Sequence, residues 1–151
     1  MSWAEVMTIN SNPSIPLNEF IENSYYLYAS DNTLTTVNNI GISGSSWRTA
    51  KTVTAQYDGA LRFTASTLTY NSTCNVRLRI ETDDTSRTPI QWDDSGGTSG
   101  SPTRHNHTGD FSINKGDIIY IETQGGSGAS RLDYAYIQGT IGIGGQALIE
   151  Q

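Results

Sequence analysis

The period of the apolar residues changes near Tyr25, and this change limits the folds that the chain can adopt. From Tyr25 onward apolar and polar residues alternate in short runs, most clearly in 75–81, where charged residues separate Val76, Leu78 and Ile80. A period of two places the apolar side chains of a strand on one face. Short runs of this kind, separated by turn residues, predict an all-β fold, an antiparallel β sandwich of jelly-roll type.

The composition agrees with this fold class and excludes several others. Only 16% of the residues are charged, and the chain contains 15 glycines. A helical bundle would need more Ala, Leu, Glu and Lys. No apolar run approaches the roughly 20 residues of a membrane-spanning helix. The net charge of −6 disfavours nucleic acid and anionic membranes as partners, because their phosphates would be repelled.

The pattern of apolar and turn residues divides the chain into three segments. Residues 1–24 are predicted to form a short helical docking segment, because Ser2 and Glu5 have the spacing of a capping box and an apolar face follows them. Residues 25–142 form the β-sandwich domain. Residues 143–151 are glycine-rich at their start and are predicted to be a flexible C-terminal tail. The alternative is a tail that docks across a subunit boundary.

The chain start and the cysteine count bear on the cellular setting. The first residues contain no basic segment followed by an apolar one, so we expect cytoplasmic synthesis without a signal peptide. Cys74 is the only cysteine, which excludes an intrachain disulfide and predicts a passive, packed thiol.

Two connections carry the functional expectations. Asp58-Gly59 has the composition of a hairpin turn. The stretch from Thr82 to Gly109 is predicted to be one long loop that contains two Asp pairs and both histidines. No nucleophile elbow, phosphate loop or zinc-type cysteine pair is present, so we predict no catalytic residues and no enzymatic activity.

Trp92, Asp93 and Asp94 in this loop are the predicted ligand-binding residues. An exposed tryptophan stacks on sugar faces, and adjacent carboxylates accept hydroxyl hydrogen bonds or bind calcium. Paired carboxylates could also support glycoside cleavage. The alternative is a packed loop tryptophan beside ordinary solvated aspartates.

His105 and His107 are the predicted metal ligands. In an extended segment, residues i and i+2 project to the same side. Two imidazoles are too few for a closed site, but three copies around a three-fold axis would supply six ligands for a transition metal. The alternative is a pair of exposed loop histidines.

Two segments carry a resemblance to phage proteins. Residues Ser2–Ser11, followed by Pro16–Asn18, resemble the start of small tail-region proteins from prophages of Gram-positive bacteria. Residues Gly109–Ile121 resemble the penultimate strands of jelly-roll head domains from phage receptor-binding proteins and collagen-like trimers. The resemblance implies a virion or prophage particle as the setting, other tail proteins as partners, and trimer-axis metal for a His-x-His pair such as His105 and His107.

The sequence therefore predicts a non-enzymatic, trimeric tail-associated protein with a structural or host-surface receptor-binding role. Lys51 and Lys115 are the only lysines, and strand faces covered by threonine rather than lysine are weakly protected against association. This favours a second copy of the chain as the partner, with cell-surface glycan as a further one. The alternative is a monomeric carbohydrate-binding module that uses Trp92.

Overall fold

A computed structural model describes residues 33–41, 44–126, 130–139 and 148–150. These residues form nine strands: β1 (Thr33–Gly41), β2 (Arg48–Ala55), β3 (Gly59–Thr69), β4 (Cys74–Thr82), β5 (Thr85–Asp94), β6 (Thr103–Ile113), β7 (Ile118–Gly125), β8 (Arg131–Gly139) and β9 (Leu148–Glu150). In this part of the chain no helix is long and apolar enough to cross a membrane.

The strands form two antiparallel sheets that pack face to face. The four-stranded sheet has the order β1-β8-β3-β6, and the five-stranded sheet has the order β5-β4-β7-β2-β9. The chain repeatedly crosses from one sheet to the other, so most contacts join strands that are distant in sequence. This is the predicted jelly-roll sandwich, and the fold-class prediction is confirmed.

The alternation in the sequence matches the two faces of each sheet. On β4, Val76, Leu78 and Ile80 are fully buried between the sheets, whereas Arg77 and Arg79 lie on the outer face. The core also takes in β3, β6, β7 and β8, and its largest fully buried side chain is that of Phe63.

Asp58-Gly59 does not form the predicted hairpin turn. The strand before it, β2, pairs with β7 and β9, whereas the strand after it, β3, pairs with β6 and β8. The dipeptide therefore connects the two sheets. Its turn composition was recognised correctly, but the partner of each strand depends on residues far along the chain.

The predicted long loop from Thr82 to Gly109 is also wrong. Strand β5 occupies Thr85–Asp94, and β6 begins at Thr103. These strands were missed because their exposed positions are polar and because β6 carries histidines where an apolar residue would signal a buried face. The remaining connection, 95–102, lies at the end of the sandwich that contains the candidate site.

Both ends of the chain lie largely outside the described residues. The predicted helical segment 1–24 is outside them entirely. Within the predicted tail, Leu148–Glu150 pairs with β2 as strand β9, so the prediction of a flexible end is wrong for these three residues.

Candidate functional site

Four of the five predicted site residues lie at one end of the sandwich. Strands β5 and β6 are edge strands of opposite sheets. On β6, His105 and His107 project to the same side as the buried Phe111 and Ile113, toward the opposite sheet. Trp92 and Asp94 point inward from β5 and meet them.

Asp93 does not belong to this group, because adjacent strand residues project to opposite faces. Asp93 is exposed on the outer face, where both of its carboxylate oxygens accept hydrogen bonds from the side chain of Gln91 at 3.1 and 3.2 Å. Asp94 is 5% exposed and faces inward. The two carboxylates therefore lie on opposite faces of the sheet and do not form a pair in this structure. That they bind a ligand stays a prediction.

The carboxylate of Asp94 is the centre of the inner group. It accepts a hydrogen bond of 2.5 Å from Oγ1 of Thr67 and lies 2.8 and 3.0 Å from Nε2 of His107. Because a carboxylate only accepts, Nε2 of His107 carries the proton. We call the group around Asp94 the Asp94 cluster; it consists of Thr67, Thr69, Asp94, His105 and His107.

The second histidine extends this cluster. Nε2 of His105 lies 3.2 Å from Oγ1 of Thr69, and its Nδ1 lies 3.8 Å from Oδ1 of Asp94. Thr69, His105 and Asp94 thus present a hydroxyl, an imidazole and a carboxylate in the order of a hydrolase triad. However, Thr69 is fully buried, so its hydroxyl cannot reach a substrate. The cluster instead joins β3 and β6 of one sheet to β5 of the other.

The ring of Trp92 is partly buried and stacks with two other rings. Phe63 stacks on it at a centroid distance of 5.4 Å, and His107 stacks on it at 4.9 Å, both nearly parallel. A Cβ on Gly109 would lie 3.0 Å from Cδ1 of Ile90 and 3.4 Å from the Trp92 ring, so glycine at this position leaves room for the stack. Trp92 therefore lies in a strand and packs against the core, whereas the sequence predicted an exposed position in a loop. That Trp92 binds a ligand stays a prediction.

Cys74 lies opposite Asp94 on the neighbouring strand. Its thiol is fully buried. Burial, and secondarily the charge of Asp94, raises the pKa of Cys74 to about 12. The thiol therefore stays protonated and unreactive, as predicted from the sequence.

The structure bears on the metal predictions in two ways. In the described ranges, no three His, Cys, Asp or Glu side chains are placed to hold a metal ion. The imidazoles of His105 and His107 are parallel with centroids 6.5 Å apart, and they face the interior of the sandwich. That these histidines bind a metal stays a prediction, and it would require further ligands from elsewhere.

The outer face of the four-stranded sheet carries an uncharged patch that the sequence patterns did not reveal. Two registered rows cross all four strands, and the rings of Tyr134 and Tyr136 stack at 5.9 Å in their middle. We call this patch the tyrosine face; it consists of Thr36, Asn38, Thr64, Ser66, Asn106, Thr108, Tyr134 and Tyr136.

The outer face of the five-stranded sheet has a different character. The guanidinium of Arg77 lies 4.1 Å from the centre of the Trp47 ring, and its Nε donates to Oε2 of Glu122 at 2.7 Å. Amide and carboxylate side chains on adjacent strands flank the pair of Arg77 and Glu122. We call this surface the Arg77 face; it consists of Trp47, Asn75, Arg77, Gln91, Asp93, Glu122 and Gln124.

Comparisons with known proteins support the fold. No family model and no curated protein matches the chain. Among solved structures, murine APRIL at pH 5.0 is similar with a TM-score of 0.51 and 12% identity over 69% of this chain and 97% of that chain. At this identity the likeness shows a shared β-sandwich fold and nothing about activity.

Two further structures are similar at lower TM-scores. The globular domain of zebrafish complement 1qA has a TM-score of 0.46 and 18% identity over 74% of this chain and 97% of its own. A carbohydrate-binding module of Cellvibrio mixtus lichenase 5A, in complex with cellotriose, has a TM-score of 0.44 and 14% identity over 72% and 98%.

Proposed function

We propose that this protein is a non-enzymatic jelly-roll module that self-associates through the tyrosine face. The observation that carries this proposal is the two-row patch in which Tyr134 and Tyr136 stack among threonine, serine and asparagine side chains. Interfaces between proteins are depleted of charge and enriched in tyrosine, which supplies a large ring with a polar end.

The charges beside the patch support the same role. Arg62 binds Asp110 with two hydrogen bonds at one end of the patch, and Arg104 binds Asp133 at 2.6 Å at the other. Both charges are paired within one chain, and Arg104 also donates to Oγ of the buried Ser66 at 2.8 Å, so its guanidinium borders the second row. A second copy could therefore cover the centre without burying an unpaired charge, which would cost several kcal/mol.

We propose a trimer as the assembly, in line with the resemblance of residues Gly109–Ile121 to the head domains of trimeric proteins. An axial metal held by His105 and His107 does not fit assembly through this face. Their neighbour Asn106 points to the tyrosine face, so the two imidazoles lie on the opposite side of the strand.

The setting in a virion or prophage particle is a further proposal, and it rests on the resemblance of residues Ser2–Ser11 to phage tail-region proteins. A host-surface receptor-binding role within such a particle follows from the same resemblance. The structural similarities described above contribute no support for a phage origin.

Light scattering coupled to size-exclusion chromatography tests the assembly. The unaltered protein is expected to have three times the mass of one chain, and Tyr136→Lys is expected to have the mass of one, because it places an unpaired charge in the centre of the patch. Thr88→Lys adds the same charge at an exposed position on β5 of the other sheet and should leave the trimer intact. A monomeric unaltered protein at high concentration, or a trimeric Tyr136→Lys, contradicts the proposal.

A further inference from the structure

We propose that the Arg77 face binds a neutral glycan. This site lies on the five-stranded sheet, on the side of the sandwich opposite the tyrosine face, so it does not depend on self-association. It also differs from the predicted sugar site at Trp92, whose ring stacks with Phe63 and His107.

Arg77 is held in place and keeps unused hydrogen-bond donors. Its guanidinium stacks over Trp47, and its Nε donates to Glu122. The side chain is 20% exposed. Among the described residues, its Nη1 and Nη2 groups donate no hydrogen bond, and this leaves two fixed donor groups for a ligand. A donor that is already fixed loses little conformational entropy on binding.

Hydrogen-bond acceptors and amide side chains surround these donors in register. Gln91 and Glu122 lie directly opposite Arg77 on the two neighbouring strands, and Asp93 and Gln124 lie opposite Asn75 in the adjoining row. The two rows span three strands, a width of about 10 Å. Each sugar hydroxyl both donates and accepts, so a surface of mixed amide, guanidinium and carboxylate groups suits vicinal hydroxyls.

The amides retain unused hydrogen-bonding capacity. The amide of Gln91 donates to Asp93, while within the described part of the chain its carbonyl oxygen accepts nothing. The amide of Asn75 donates one long hydrogen bond of 3.5 Å to Gln124. An amide can take part in four hydrogen bonds, so a ligand can bind here without displacing the existing contacts.

The charge balance selects a neutral ligand. Glu122 is 6% exposed and lies between Arg77 and Arg79, to both of which it is paired. Arg79 also pairs with Glu81, and Asp93 adds a further carboxylate. Two guanidinium groups therefore face three carboxylates. A phosphate or an acidic sugar would be repelled on balance.

Ligand-observed NMR with neutral di- to tetrasaccharides of hexose and N-acetylhexosamine tests the proposal, with uronic-acid oligosaccharides as the charged comparison. At least one neutral probe is expected to bind. Asn75→Ala and Gln91→Ala should each weaken that binding by about tenfold, the loss expected for one or two hydrogen bonds. Thr88→Ala, on the same strand as Gln91 but outside the Arg77 face, should leave the affinity unchanged.

Three outcomes would overturn the proposal: no neutral probe binds, only acidic probes bind, or neutral binding is the same in both variants as in the unaltered protein. Thermal melting of each variant checks that the fold is intact, since both side chains lie on the outer surface. Light scattering on the same samples separates this proposal from self-association, because a monomer that binds glycan contradicts only the assembly, and a trimer that binds none contradicts only the glycan site.

Discussion

Nε2 of His107 lies 2.8 Å from Oδ1 of Asp94, and this contact joins the edge strands of the two sheets. The carboxylate is nearly inaccessible to solvent, and a hydroxyl and an imidazole satisfy it. A buried carboxylate is costly without such partners. The contact therefore fixes how β5 and β6 approach each other at this end of the sandwich.

Removing this carboxylate should destabilise the fold. Asp94→Ala loses the hydrogen bonds from Thr67 and His107 and is expected to lower the free energy of unfolding by about 3 kcal/mol. Urea denaturation followed by far-UV circular dichroism measures this change. Asp93→Ala is the matched control. It removes the exposed carboxylate of the adjacent residue and should change stability little. Equal effects of the two substitutions would contradict the role assigned to Asp94.

Gly97 should not tolerate a side chain. Its φ is +71°, and a Cβ at this position would collide with the carbonyl oxygen of Thr69 and lie 2.7 Å from the amide nitrogen of Thr103. Gly97→Ala therefore has two costs. The alanine must adopt a strained left-handed backbone conformation, and its Cβ collides with neighbouring backbone atoms. We expect it to lower stability by at least about 2 kcal/mol.

Gly116 provides the control for this prediction. Its φ is +92°, but a Cβ would meet nothing within 4 Å. Gly116→Ala should therefore cost only the conformational strain, about 1 kcal/mol. Thermal melting of both variants compares them, and a lower melting temperature for Gly116→Ala than for Gly97→Ala would be inconsistent with the collision.

The Cys74 thiol should be protected from alkylation in the folded protein. Burial raises the pKa of Cys74 to about 12, so almost no thiolate exists at about pH 8, where an unfolded thiol is partly ionised. Iodoacetamide is expected to modify the protein in denaturant and not without it, as measured by mass spectrometry. Rapid modification of the native protein would show that the thiol is accessible.

The same shift predicts how stability changes at alkaline pH. An unfolded thiol ionises near pH 8.5, whereas the folded thiol keeps its proton until about pH 12. Between these values the folded state binds more protons, so this contribution to stability is complete below about pH 8.5 and is lost as the pH rises through the window. Cys74→Ala should reduce this part of the alkaline destabilisation.

Asp117 should contribute more to stability than Asp110, although each of the two is paired with an arginine. Its side chain is fully buried, and it accepts hydrogen bonds from the Asn114 amide at 2.9 Å, from Thr82 and from Arg87. Asp117→Ala should lower the free energy of unfolding by about 3 kcal/mol. Asp110→Ala, which removes an exposed pair with Arg62, should have little effect in the same denaturation experiment.

The fold class and the two faces of the clearest strand could be predicted from local patterns of residues. The alternation in 75–81 was sufficient because a pleated strand turns a period of two directly into an inner and an outer face. The inertness of Cys74 also followed from its polar, uncharged neighbours. These are local properties, and they do not depend on which strands become partners.

Which residues come into contact depends on the pairing and packing of distant strands. Asp93 and Asp94 are adjacent in sequence but face opposite sides of a sheet, and Thr67 reaches Asp94 from a strand of the other sheet. Strand β2 pairs with β7 rather than with β3. The two strands on either side of Asp58-Gly59 therefore lie in different sheets. Strand pairing and sheet packing join segments that are far apart along the chain. These non-local contacts form the Asp94 cluster, the tyrosine face and the Arg77 face. No short sequence pattern could therefore predict them.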